Sequence, residues 1–187
     1  MLELHCAHGY LMSSFISPLS NHRTDEYGGP LENRMRLPLE VFRAIRAIWP
    51  DERPISVRIS AVDWEEGGHE IEDAVAVSRL FHEAGADLID VSSGMVTNHR
   101  PPDGSMFQVP FAEQIRADAE VPTMAVGNIE WAEQMNHIIE SGKADLCVMG
   151  RGHMYDPYLA RHVAREIGYD MPWPGQYSRG AKFRQLD

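Results

Sequence analysis

Five short apolar runs alternate with segments of helical period, and this alternation constrains the fold more than any other feature of the chain. The runs lie at 2–6, 55–60, 88–92, 122–126 and 146–149, and the helical stretches at about 31–48, 70–84, 109–118, 130–141 and 156–167. Leu37, Val41, Ile45 and Ile48 fall on one face of the first helical stretch. Asp73, Ala76, Val77, Leu80, Phe81 and Ala84 mark a face of the second, and Gly85 and Gly142 stand where helix C-caps would. The strand runs read as continuously hydrophobic, as strands covered on both faces do. Strand and helix repeated in this order predict an α/β fold with parallel, right-handed crossovers. Polar residues and glycines gather in the strand-to-helix loops, 5–10, 60–68, 92–104, 127–128 and 150–153, while the helix-to-strand loops EAGAD and ESGKAD are plain. Ligands of such folds bind beyond the carboxyl ends of the strands, so one rim is expected to carry the function.

Charge narrows the partners. Twenty-eight acidic against 17 basic side chains give a net charge of −11, a field that repels phosphate backbones and anionic lipid. Neither a nucleic-acid nor a membrane partner is expected, and no run of about 18 apolar residues is present to span a bilayer. With 43% apolar and 24% charged residues the chain is too hydrophobic for disorder. Cys6 and Cys147 sit in apolar segments and read as small buried hydrophobes, without the CxxC spacing of a redox or zinc motif. No signal-peptide pattern opens the chain, so a cytoplasmic setting is expected.

Four segments could carry chemistry. AVGNI and VMGRG place Gly127 and Gly150 directly after strands and before helices, and the second adds Arg151. Close backbone approach, free N–H groups and a cation suit a phosphate, at the position many (β/α)8 barrels use. HCAHGY brings His5, His8 and Tyr10 together. A metal would need a third ligand, and none is expected; paired imidazoles can instead donate hydrogen bonds to a carbonyl or phenolate oxygen, with the phenol as proton donor. SVRIS puts Arg58 in an otherwise apolar strand, where a guanidinium needs a partner. Either an ion pair with a carboxylate such as Asp90 or an electron-rich ligand edge would serve, and spacing does not separate them. The fourth segment, 17–36, reads as a long ordered loop entering a helix, with Arg23, Asp25, Glu32 and Arg34 as structural charges. The Pro- and Trp-rich tail, 171–187, reads as a disordered end or as an arm docking on a neighbour.

The strings HCAHGYLMSSFISPLSNHRTDEYGGPLENR, SVRISAVDWEEGG, GADLIDVSSG, FAEQIR, MAVGNI and MGRGHMYDP, in this order, resemble the old yellow enzyme family of FMN-dependent ene-reductases. The HxxHGY form resembles its two-histidine bacterial class. MFQVPFAEQIR, ADLCVMGRGHMYDP and the WPxQY tail are similar to the reductase-like half of salicylyl-CoA and 2-aminobenzoyl-CoA monooxygenase fusions. The resemblance implies a (β/α)8 barrel holding FMN, reduced by NADH or NADPH, and an electron-poor alkene substrate such as an enone, an enoyl-CoA or an aryl-CoA derivative. It implies that His5 and His8 bind the activating carbonyl, that Tyr10 protonates the carbon beside it, and that Arg58 meets the pyrimidine edge of the flavin. Gly127, Gly150 and Arg151 would hold the FMN phosphate. Arg179, in QYSRG, matches an arginine that in several members reaches the partner subunit's substrate site, which implies a homo-oligomer.

The HxxH strand is the fourth of eight in that family, yet here it opens the chain. Residues 1–170 are therefore expected to form strands four to eight of a barrel, about five β/α units, with 171–187 as the tail. Complete barrels run to about 250 residues. The expectation is a C-terminal part of a larger enzyme, weakly active by itself; the alternative is a non-catalytic phosphate-binding half-barrel that assembles with a partner chain. Substrate selectivity is expected in loops 63–69 and 96–104.

Overall fold

The structure, a computed structural model, describes residues 1–99, 101 and 104–186, with side chains as far as 180. Part of the expected selectivity loop 96–104 therefore lies outside the described residues. Strands β1 (Leu2–Cys6), β2 (Ile55–Ser60), β3 (Leu88–Ser92), β4 (Thr123–Ala125) and β5 (Leu146–Cys147) form one parallel sheet in the order β1-β2-β3-β4-β5. Strands consecutive in sequence pair in space, without the order reversal of a doubly wound sheet, so the sheet is an arc of a singly wound barrel. The α/β class and the five units are those expected. β4 and β5 are shorter than the runs 122–126 and 146–149, because their ladder holds only the pairs Met124↔Leu146 and Ala125↔Cys147.

The helices are α1 (Leu11–Ile16), α2 (Leu31–Arg34), α3 (Arg36–Arg46), α4 (Ile71–Glu83), α5 (Val109–Ala119), α6 (Ala132–Glu140), α7 (Arg151–Tyr155) and α8 (Leu159–Glu166), followed by a 3-10 helix, Gly175–Leu186. The single helix expected over 31–48 is divided at Met35. Pro38 has no N–H for the Arg34 carbonyl and its ring crowds that oxygen, whereas it fits the first turn of α3. Asp156 is extended (φ −132°, ψ 97°), as a residue before proline tends to be, and Pro157 separates α7 from α8. Ile48, expected on the buried face, is 85% exposed because α3 ends before it.

α3 buries Leu39 and Phe42, and α4 buries Ala74, Val77, Ser78 and Phe81. The Phe42 and Phe81 rings meet edge to face at 5.6 Å and lock the two helices together. Leu4, Cys6, Ile55, Val57, Ile59, Ile89 and Val91 pack into this core. The opposite face of the sheet carries Glu3, His5, Ser56, Arg58, Ser60, Asp90 and Ser92 at alternate positions. β2 and β3 are thus mostly buried along their whole length, but they alternate apolar with polar rather than being continuously hydrophobic. The polar face is the inside of the arc. Cys6 and Cys147, on opposite edge strands, are free, and burial pushes the Cys6 thiol up to about 12.

The loop between α1 and α2 is pinned from within. Arg34 is buried and donates through Nε to the Ile16 carbonyl (2.7 Å) and through Nη1 to the Gly29 carbonyl (2.8 Å). Arg23 pairs with Asp25, and Glu32 lies exposed in the first turn of α2. Among the described residues no helix is long and apolar enough to cross a membrane.

Candidate active site

Sheet register sets out the first row of the site. His5 of β1 lies beside Arg58 of β2, and Arg58 beside Asp90 of β3. Arg58 Nη1 stands 3.4 Å from Asp90 Oδ2, yet Arg58 Nε and Asp90 Oδ1 are buried without a hydrogen-bond partner. The ion pair therefore exists but leaves the guanidinium unsatisfied, so both readings of Arg58 remain compatible with one geometry. Burial pushes the Asp90 carboxyl up to about 7 against the opposing pull of Arg58.

One step further along the strands, Ser60 and Ser92 are paired neighbours. Ser60 Oγ accepts the His8 N–H (3.0 Å) and donates to the Gly94 carbonyl (3.0 Å). Ser92 Oγ lies 2.7 Å from His8 Nε2. His8 and Gly9 both have left-handed backbones (φ 63° and 72°), which reverse the chain so that Tyr10 stands as the N-cap of α1. Gly9 N–H donates to Ser13 Oγ at 3.1 Å, and a Cβ on Gly9 would stand 2.8 Å from the Met95 carbonyl oxygen. Gly9→Ala should therefore lower stability by about 1–3 kcal/mol, measured by urea denaturation; an unchanged midpoint would contradict this account of the turn.

The turn brings the His5 ring centroid within 5.3 Å of His8 and 5.4 Å of Tyr10. Burial and then the Arg58 charge push His5 below the usual imidazole range, with Glu3 opposing. Burial, Arg58 and His5 push His8 down to about 4. Both rings are thus neutral near pH 7 and can act as single N–H donors. Tyr10 is 66% exposed, so its hydroxyl can exchange protons with water.

The second part of the rim lies beyond β4 and β5. Arg151 Nη2 donates to Asn128 Oδ1 (2.7 Å), joining the two loops. A Cβ on Gly150 would meet nothing within 4 Å, whereas one on Gly127 (φ 109°) would stand 2.5 Å from Gln108 Nε2. Gly150 thus faces open space, while the protein's own packing demands the glycine at 127. The open backbone at Gly150 and the exposed Arg151 cation fit a phosphate; the orphaned Nε of Arg58 fits an electron-rich ring edge.

Arg179 is not brought to His5, His8 or Tyr10 of its own chain. It lines a cavity of about 800 Å³ between α8 and the tail, with Arg161, Tyr169 and Trp173 among its neighbours. Arg161 stacks on Trp173 at 4.0 Å and so ties the tail to α8. Among the described residues no group of three His, Cys, Asp or Glu side chains could hold a metal.

The sequence places Ser60 and Ser92 in the rim loops 60–68 and 92–104 without a role of their own, and does not single out Gln108. Gln108 is 4% exposed at the N-cap of α5; it accepts from Ser93 Oγ (2.6 Å) and donates to the Val126 carbonyl (3.1 Å). The paired hydroxyls of DVSSG and a polar residue opening an apolar helix were the available signals.

Residues 1–169 match the model of the NADH:flavin oxidoreductase / NADH oxidase family. The NADPH dehydrogenase of Bacillus subtilis (strain 168) is 42% identical over 180 residues, 96% of this chain and 53% of that protein. A 2-naphthoyl-CoA reductase bound to 2-naphthoyl-CoA superposes with a TM-score of 0.79 at 26% identity, over 88% of this chain and 26% of that one. Morphinone reductase in complex with tetrahydroNAD gives a TM-score of 0.69 at 26% identity, over 95% of this chain and 46% of that one. The chain spans about half the length of the curated relatives it matches. With five parallel strands that match part of such barrels and a family model covering nearly its whole length, the chain belongs to the NADH:flavin oxidoreductase family, that of the old yellow enzymes.

Proposed function

We propose that a barrel built on these five strands is an FMN-dependent oxidoreductase that uses NAD(P)H to reduce an electron-poor alkene. The observation that carries this reading is the gathering of His5, His8 and Tyr10 on the rim that also holds Arg58. His5 and His8, neutral at pH 7, donate hydrogen bonds to the carbonyl that activates the alkene and draw charge onto its oxygen. Tyr10 gives its hydroxyl proton to the carbon beside that carbonyl and recovers one from solvent. Arg58 offers its unsatisfied Nε–H to the electron-rich edge of the flavin, and Gly127, Gly150 and Arg151 hold the FMN phosphate. Bound FMN would supply the two-electron chemistry, accepting hydride from NAD(P)H and passing it to the far alkene carbon.

The 2-naphthoyl-CoA held by one structural neighbour supports a CoA thioester as substrate, alongside simple enones. Glu3 and His5 are exposed along the open β1 edge, so full activity needs further strands packed against it. Residues 1–170 act as the flavin-binding part, and the tail with Arg179, which packs on α8 of its own chain, is the segment that would meet a second subunit in a homo-oligomer. FMN titration of the chain, alone and within a full-length barrel, tests the binding half of the reading. Arg151→Ala should weaken FMN about tenfold or more, the loss of one charge-assisted hydrogen bond; unchanged retention would remove Arg151 from the phosphate site.

A further inference from the structure

His8 can serve a ligand oxygen only from a nitrogen that carries its proton. A neutral imidazole has one such nitrogen, and the partner of the other ring nitrogen decides which. Here Nε2 lies 2.7 Å from Ser92 Oγ, while Nδ1 makes no hydrogen bond among the described residues. The direction of the Ser92 contact therefore sets the chemistry that His8 presents.

Gln108 bears on that direction. Its Nε2 donates to the Val126 carbonyl at 3.1 Å, which turns its Oε1 toward Ser93 and Ser92. Ser93 Oγ donates to that oxygen at 2.6 Å, whereas Ser92 Oγ lies 3.4 Å from it. The Ser92 hydroxyl thus has a long 3.4 Å bond to an amide oxygen that Ser93 already shares on one side, and a ring nitrogen at 2.7 Å on the other, and the shorter contact is the stronger one. Its backbone is also engaged, since the Ser92 carbonyl accepts from Ala61 N–H at 2.8 Å. Ser92 is buried, so water does not compete for its proton.

We infer that Ser92, oriented by the Ser93–Gln108 pair, donates to His8 Nε2 and holds the imidazole as the Nδ1–H tautomer. Ser92 is then a positioning residue that leaves His8 with a donor for a substrate oxygen. The opposite tautomer would meet that oxygen with a lone pair. The inference rests on the proposed role of His8 but concerns the ring's own proton, which can be read without flavin or substrate.

The test is the long-range 1H–15N spectrum of the full chain, histidine-labelled, at pH 7, with the His8 signal among the nine histidines identified by its loss in His8→Gln. At that pH His8, with its pKa near 4, is neutral, so the spectrum reports the tautomer alone. The wild type should show a protonated Nδ1 and an unprotonated Nε2. Ser92→Ala should move the tautomer ratio about tenfold toward Nε2–H, the effect of one lost hydrogen bond, and Ser92→Thr should restore it. An Nε2–H imidazole in the wild type overturns the inference even if Ser92→Ala does not fold, and so does an unchanged ratio in a folded Ser92→Ala. Failure of alkene reduction by a flavin-loaded barrel whose His8 is Nδ1–H would contradict the proposed reaction and leave the role of Ser92 standing.

Discussion

Tyr10→Phe should slow the alkene-reducing half-reaction about 10²–10⁴-fold and leave reduction of the flavin by NAD(P)H nearly unchanged. The asymmetry follows from what the substitution removes. The ring stays, and with it the 5.4 Å packing against His5, so the neighbouring imidazoles keep their places. Only the hydroxyl is lost, and at 66% exposure the residue is not a major support of the core. Hydride transfer from nicotinamide to flavin needs no proton from this position. Rapid-mixing measurements of the two half-reactions separate the effects, and an equal loss in both would take Tyr10 out of the proton-donating role.

The second large effect is on stability. Asp90, 1% exposed, titrates near 7 in the folded protein against an ordinary 3.8, because burial outweighs the pull of Arg58 and Glu3 adds to the rise. A carboxyl raised in this way binds its proton more tightly when folded. Its contribution to stability is fully present below about pH 3.8 and is lost as pH rises through 7. The swing is of the order of 4 kcal/mol at about 1.4 kcal/mol per pH unit. His8 acts oppositely over much of the same span. Lowered from 6.5 to about 4, it contributes above 6.5 and loses that contribution as pH falls through 4, so the wild-type curve by itself conceals both. The difference in unfolding free energy between Asp90→Asn and wild type should isolate the carboxyl, growing in favour of the variant from pH 4 to 7 and flat above. A difference that does not vary with pH would contradict the raised pKa. Below pH 7 the protonated carboxyl also leaves Arg58 without a charged partner, free to meet an electron-rich ligand.

Local patterns carried the sequence reading well where chemistry and strand position coincide. HCAHGY placed His5, His8 and Tyr10 on one turn because all three fall within six residues, and the strands β1 to β3 have the expected bounds. The Arg58–Asp90 pair was legible as one of two alternatives, but its strained satisfaction was not, since orphaned atoms arise only once burial and register are known. The roles of Ser92 and Gln108 were hidden for the same reason: one ends a strand and the other opens a helix, and only the fold brings Ser92 to His8 and Gln108 to Ser92. α1 went unread because LMSSFI is too short to display a helical period. Pro38 and Pro157, by contrast, were local signals for the breaks at Met35 and before α8. Asp63 and His69, whose Oδ1 and ring nitrogens are buried without hydrogen-bond partners, show how a polar loop can be drawn into the core in ways that hydrophobic patterning does not reveal.

The most direct test of alkene reduction is an anaerobic half-reaction with a flavin-loaded barrel that contains these five strands. The flavin is first reduced with NADPH and then mixed with an enone or an enoyl-CoA. The yellow absorbance should return without oxygen, with saturated product formed in step with it. A flavin that stays bleached until oxygen is admitted, with every such alkene unconverted, would contradict the proposed reaction.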